Sequence, residues 1–178
     1  MTERAVDPKA EQAHGAGKLF VWQGWRAVAD LEATRSWYAG AAEWDCGCGH
    51  CRNYLALARD RRLPPGMLEI LDSLSIPPER VTDLSELCGR GGLVLYDVRF
   101  RVAGRLLERP AQGGPDPELG LWCQDNPGGF YPWGAPDFPA PCFDLCFGPW
   151  LPWVLDEPMD GPEAEREGGP VGPTRDGR

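Results

Sequence analysis

The stretch Leu93-Val94-Leu95-Tyr96-Asp97-Val98-Arg99-Phe100-Arg101-Val102 sets apolar side chains at 94, 96, 98, 100 and 102 against charged ones at 97, 99 and 101. A period of two is what a strand with one face in a core produces, because successive side chains leave a pleated chain on opposite sides. Working outward, Gly120 to Gln124 and Ala140 to Gly148 read as further strands, separated by a Gly- and Pro-rich loop from Asn126 to Pro139. In the second of these, Phe143, Leu145 and Phe147 share one face and Cys142, Asp144 and Cys146 the other. The two thiols there act as small apolar residues on an internal sheet face. Upstream, Lys18 to Val28 is rich in β-branched and aromatic residues, and Leu31 to Trp44 carries Trp37, Tyr38 and Trp44 around the turn-like Gly40-Ala41-Ala42. These two segments read as a strand pair.

Between them the period changes. Cys51 to Arg61 has apolar residues at 51, 54, 55, 57 and 58, a helical recurrence that Leu63-Pro64-Pro65 stops. A second helix starts near Pro65, whose fixed φ suits a first helical position, and Met67, Leu68, Ile70, Leu71 and Leu74 form its apolar face before Pro77-Pro78 ends it. Asp83-x-x-Glu86 has the spacing of a capping box, which predicts a short third turn of helix over Leu84 to Cys88. Pro149-Trp150-Leu151-Pro152-Trp153 is expected to fold back over the end of the sheet. The sum is a single α+β domain, an antiparallel sheet of about four to six strands with two or three helices.

The 178 residues are 42% hydrophobic and include eight Trp, enough apolar surface for a core in one domain. That surface is concentrated in residues 18–157. Residues 1–17 and 158–178 are polar or rich in Gly and Pro and are expected to be solvated tails. The formal charge of −9 argues against a protein that grips phosphate backbones, and only Arg59, Arg61 and Arg62 form a dense basic cluster. Neither a secretory apolar region at the start nor a stretch of about 20 apolar residues is visible, so no membrane partner and a cytoplasmic location are expected. In that reducing compartment seven Cys are better read as free thiols, a metal site or a redox pair than as a disulfide framework.

The densest chemical signal is Asp45-Cys46-Gly47-Cys48-Gly49-His50-Cys51-Arg52-Asn53, at the junction leading into the first of these helices. A Cys-x-Cys-x-x-Cys knuckle points sulfurs inward around a Gly-containing turn, and Zn²⁺ takes about four such ligands in a tetrahedron. Cys46, Cys48 and Cys51 are therefore the candidate metal ligands. The fourth is undetermined: His50 is tightly constrained, and Cys88, Cys123, Cys142 and Cys146 come near only if the fold brings them. The alternative is thiol-disulfide exchange, since Cys48-Gly49-His50-Cys51 is similar to the active-site tetrapeptide of the protein disulfide isomerase branch of the thioredoxin fold. A Cys at a helix start has its thiolate favoured by the macrodipole, and His50 would assist. The element order speaks against that fold, because a second helix follows the first with no strand between them.

Other chemistries have little to work with. His14 and His50 are the two histidines, so a triad hydrolase would have to be built on His50, and there is no G-x-S-x-G elbow. Gly15-Ala16-Gly17-Lys18 lacks the full spacing of a phosphate loop. Trp122, Trp133, Trp150 and Trp153, with Phe130 and Tyr131, either close a core or line a groove for a protein or small-ligand partner.

Taken together, Cys46-x-Cys48-x-x-Cys51-Arg52-Asn53-Tyr54, Gly92-Leu93-x-Leu95-Tyr96-x-x-x-Phe100-x-x-x-Gly104 and Pro152-Trp153-Val154-Leu155-Asp156-Glu157 resemble a group of small uncharacterised bacterial proteins. The resemblance spans most of Trp44 to Glu157 and carries no assigned reaction. It implies Cys46, Cys48, Cys51, Arg52 and Asn53 as motif positions. The group often has a Tyr-His pair where this chain has Phe100-Arg101. Read locally, Arg52 pairs with Asp45 or a sheet carboxylate and Asn53, in the first helical turn, bonds a backbone group; the alternative is that both belong to one shared site.

Overall fold

A computed structural model describes residues 17–110, 119–126 and 135–159. The backbone of the fold is β4, Leu93–Glu108, a strand of 16 residues that continues the alternation at Leu93 to Val102. Val94, Tyr96, Val98, Phe100 and Val102 are all fully buried. Each such side chain contributes about 1.5–3 kcal/mol relative to exposure.

Its length lets β4 serve four antiparallel neighbours. One edge pairs first with β3, Asp83–Arg90, and then with β2, Trp25–Ala29; the other pairs with β7, Trp150–Pro152, and then β6, Cys142–Phe147. β1, Lys18–Trp22, extends the sheet beyond β2, and β5, Trp122–Asp125, extends it beyond β6. The sheet has seven strands rather than four to six, because β3 and β7 join it where helix and a covering segment were expected. The α+β class holds, with three helices: α1, Leu31–Gly40, α2, Gly49–Arg59, and α3, Pro65–Ser73.

Two local readings are corrected. Leu31 to Trp44 is not the second half of a strand pair. Lys18–Ala29 makes its own hairpin around Gln23-Gly24, both at positive φ, and Leu31–Gly40 is helix. Asp30 caps that helix by accepting from the Ala33 N–H at 2.9 Å, with Glu32 in the first turn. Leu84 to Cys88 is not a helical turn either. Gly91 and Gly92 both take positive φ and close a two-residue hairpin between β3 and β4, so Asp83-x-x-Glu86 lies in a strand.

The helices fill the core. Tyr54, Leu57, Met67 and Leu71 are buried in the same cluster as the inward side chains of β4 and with Phe143, Leu145 and Phe147 of β6. α1 is tied to β4 through its backbone: the Tyr38 hydroxyl donates to Arg101 O at 2.9 Å, and Thr34 Oγ1 accepts from Ala103 N at 3.1 Å. The opposite face of β6 is buried too, which bears out the reading of Cys142 and Cys146 as internal sheet residues. Register places Asp144 opposite Arg101, where the two form a fully buried ion pair at 2.9 Å, and Asn126 Nδ2 donates to the other Asp144 oxygen at 3.0 Å. Met159 packs against the core, while the remaining residues assigned to the two tails lie outside the described segments, Gly17 and Pro158 excepted. Among the described residues no helix is long and apolar enough to cross a membrane.

Candidate metal centre

The knuckle is the entry into α2. Cys48 is the residue that caps this helix, its Sγ accepting from the Cys51 N–H at 3.4 Å and its carbonyl from Arg52 N at 3.0 Å. A thiol therefore stands where Ser, Thr or Asp more often does, at the positive end of the helix. One turn inward, the same winding that places Tyr54 and Leu57 in the core carries Cys51 with it, so its sulfur is buried while Cys46 and Cys48 are exposed.

The Sγ atoms of Cys46, Cys48 and Cys51 all lie within 4.8 Å of one another, and those of Cys46 and Cys48 are 3.4 Å apart. Sulfurs sharing one tetrahedral zinc stand about 3.8 Å apart, given a Zn–S bond of about 2.3 Å. The trio is thus close enough to hold a metal ion. Among the described residues no further Cys, His, Asp or Glu places a ligand atom within this same mutual distance. All seven cysteines are free: Cys88 is exposed on β3, Cys142 and Cys146 are buried in β6, and Cys123 is buried in β5.

The environments of the three sulfurs differ. The Cys46 thiol is held below its ordinary range, first by the Cys48 backbone N–H and then by the Cys48 and Cys51 side chains. Burial pushes the Cys51 thiol up, against the indole of Trp44, whose Nε1–H donates to its sulfur at 3.2 Å. Bound together by a cation, all three would be thiolates, since a metal replaces the thiol proton.

The rest of the motif reaches toward the chain's closing segment, Arg52 also touching the knuckle at Gly47. Asn53 is fully buried and donates through Nδ2 to the Tyr96 hydroxyl at 3.2 Å and to Pro152 O at 3.1 Å, while its Oδ1 accepts from Val154 N at 2.7 Å. The Tyr96 hydroxyl donates in turn to His50 O at 2.9 Å. Burial raises that hydroxyl to about 12, so it remains a donor at any physiological pH. The His50 ring meets Trp153 edge-on at 5.4 Å between centroids. Arg52 pairs with Glu157, not Asp45, and donates to Gly47 O at 3.2 Å. Glu157 O accepts from Trp153 Nε1 at 2.7 Å.

The structure therefore divides the motif residues. Cys46, Cys48 and Cys51 meet at one point, whereas His50, Arg52 and Asn53 hold residues 152–157 against the same helical turn. Trp44 and Tyr96 are supporting residues that spacing alone did not identify; Tyr96 was visible as an inward position of β4 without any sign that its hydroxyl reaches the knuckle. Of the aromatic groove candidates, Trp150 is exposed on β7, Trp122 and Trp153 are half-buried, and Phe130, Tyr131 and Trp133 lie outside the described residues. No protein family, curated protein or solved structure matches the chain.

Proposed function

We propose that this protein is a small, non-catalytic binding module of the cytoplasm whose Cys46, Cys48 and Cys51 hold one zinc ion that stiffens the entry to α2. The observation that carries the reading is the convergence of three thiols within 4.8 Å at a helix start. Three soft donors brought together are costly to leave charged without a cation and match zinc by ligand type. The same turn anchors residues 152–157 through Asn53 and Arg52, so an ion here would reinforce the attachment of the closing segment to the core. The role is to present a surface to a protein or small-ligand partner, and the resemblance to the uncharacterised bacterial group extends this proposal to proteins sharing the motif.

The test is metal content. Purified protein should carry close to one zinc per chain, the content should fall on Cys46→Ser, Cys48→Ser or Cys51→Ser, and a chelator should lower the unfolding midpoint. Metal-free protein that is indifferent to chelators and slow with thiol reagents would leave the cysteines as packing residues and sink the proposal.

A second reading is favoured by one contact, the Cys51 N–H directed at the Cys48 sulfur at the start of α2, which suits an attacking thiolate. Exchange through Cys48 and Cys51 requires that Cys48→Ser abolish insulin reduction while Cys46→Ser spares it. The surrounding topology does not favour it: α3 follows α2 directly, and the described strands pair antiparallel, unlike a thioredoxin sheet.

A further inference from the structure

Three protein sulfurs leave a tetrahedral ion one position short, and the placement of these three decides where that position points. Cys51 is buried beneath Trp44 at the inner side of the cluster, while Cys46 and Cys48 are exposed at its rim. An ion seated on all three has protein behind it and solvent in front. Among the described residues no fourth Cys, His, Asp or Glu donor joins the cluster. Sites of three protein ligands with an outward position are the ones that take up a ligand from outside, whereas purely structural sites close all four.

The chemistry of that outside ligand follows from its surroundings. An ion selected by three thiolates is held by soft donors and accepts another soft donor readily. The Arg52 guanidinium lies against the knuckle through its bond to Gly47 O, and it is half-exposed. Its charge is matched by Glu157, so the choice of ligand falls to donor softness. Softness selects a thiolate over an imidazole or water.

We infer that the Cys46-Cys48-Cys51 metal centre has a fourth, solvent-facing position that binds a low-molecular-weight thiol as its thiolate. This inference rests on the metal reading above. In the binding step the thiol sulfur forms a bond to the ion, the metal-bound water leaves, and the thiol proton passes to solvent; no electron is transferred and no protein bond breaks. The protein is thereby a thiol-binding metal centre and not merely a metal-stiffened fold.

Cobalt(II) in place of zinc makes the position visible, because its sulfur-to-metal charge-transfer absorption grows with the number of thiolates. The full-length protein, loaded with one cobalt ion, is titrated with 2-mercaptoethanol and, separately, with imidazole. The expected result is a saturable rise of the charge-transfer band by about one third, the step from three thiolates to four, at one thiol per cobalt, with imidazole giving no comparable change. A spectrum that ignores the thiol while cobalt stays bound would mean that a fourth donor of this chain closes the site, and would overturn the inference while leaving the metal reading intact. A response to imidazole alone, or loss of cobalt to the thiol, overturns it as well. Failure of cobalt to bind at all is the distinct outcome that overturns the metal reading itself.

Discussion

Asn53 makes three side-chain hydrogen bonds from a fully buried position, and two of its partners are backbone groups of the segment 152–154. Asn53→Ala strands Pro152 O and Val154 N without their partner. At about 1–3 kcal/mol for each buried group left unsatisfied, a loss of roughly 3 kcal/mol is expected in urea unfolding. Arg52 is the contrast. Its pair with Glu157 is half-exposed on both sides, so Arg52→Ala should cost under about 1 kcal/mol in the same measurement. The sequence marked both residues through the motif, yet their partners in the closing segment lie 99 to 105 positions away. Spacing reports what a helix turn or strand places side by side; it carries no information on which distant segment returns to that turn. The convergence of Cys46, Cys48 and Cys51 was legible for the complementary reason, since all three fall within one loop and one turn.

At the level of elements, β4 was readable because one face is entirely apolar, and α3 because Pro65 opens it and apolar residues recur along one side. Leu31–Gly40 was misread from Trp37 and Tyr38, aromatics that suit a strand as well as a helix, although Asp30 with Glu32 behind it carried the helix-start signal. Gly91-Gly92 similarly announced a hairpin that the Asp83-x-x-Glu86 spacing obscured. Gly104 takes a φ of +137° where β4 passes from β6 to β2, and a Cβ there would overlap the Val28 carbonyl, so Gly104→Ala should lower stability by about 2 kcal/mol or more. Between β4 and β6, Asp144→Ala leaves Arg101 buried beside its lost partner and should cost about 3–5 kcal/mol. The double replacement Arg101→Met with Asp144→Leu should recover much of that loss, and a thermal-unfolding cycle of the wild type, two singles and double measures it.

On the scale of the whole molecule, class and core were legible because burial needs the same apolar pattern wherever the strands pair, while strand count was not, because β7 has only three residues, too few to show a period. Stability is expected to reside in the packed unit, whose last described member is Met159. Removing residues 1–16 and 160–178 together should therefore shift the denaturation midpoint by no more than a surface substitution would, within about 0.5 kcal/mol. A large shift would place part of the core's support in those residues.

The attachment of the first turn of α2 to residues 152–157 also fixes an order of events during synthesis. The ribosome releases Cys46, Cys48 and Cys51 about a hundred residues before the segment that Asn53 and Arg52 hold in place. Until β7 and that segment emerge, the knuckle is a short loop on an unsupported helix start, and such long-range contacts form late because loop closure must precede them. If an ion binds as proposed, it would be held loosely by the nascent chain and firmly only once β7 and residues 152–157 have docked.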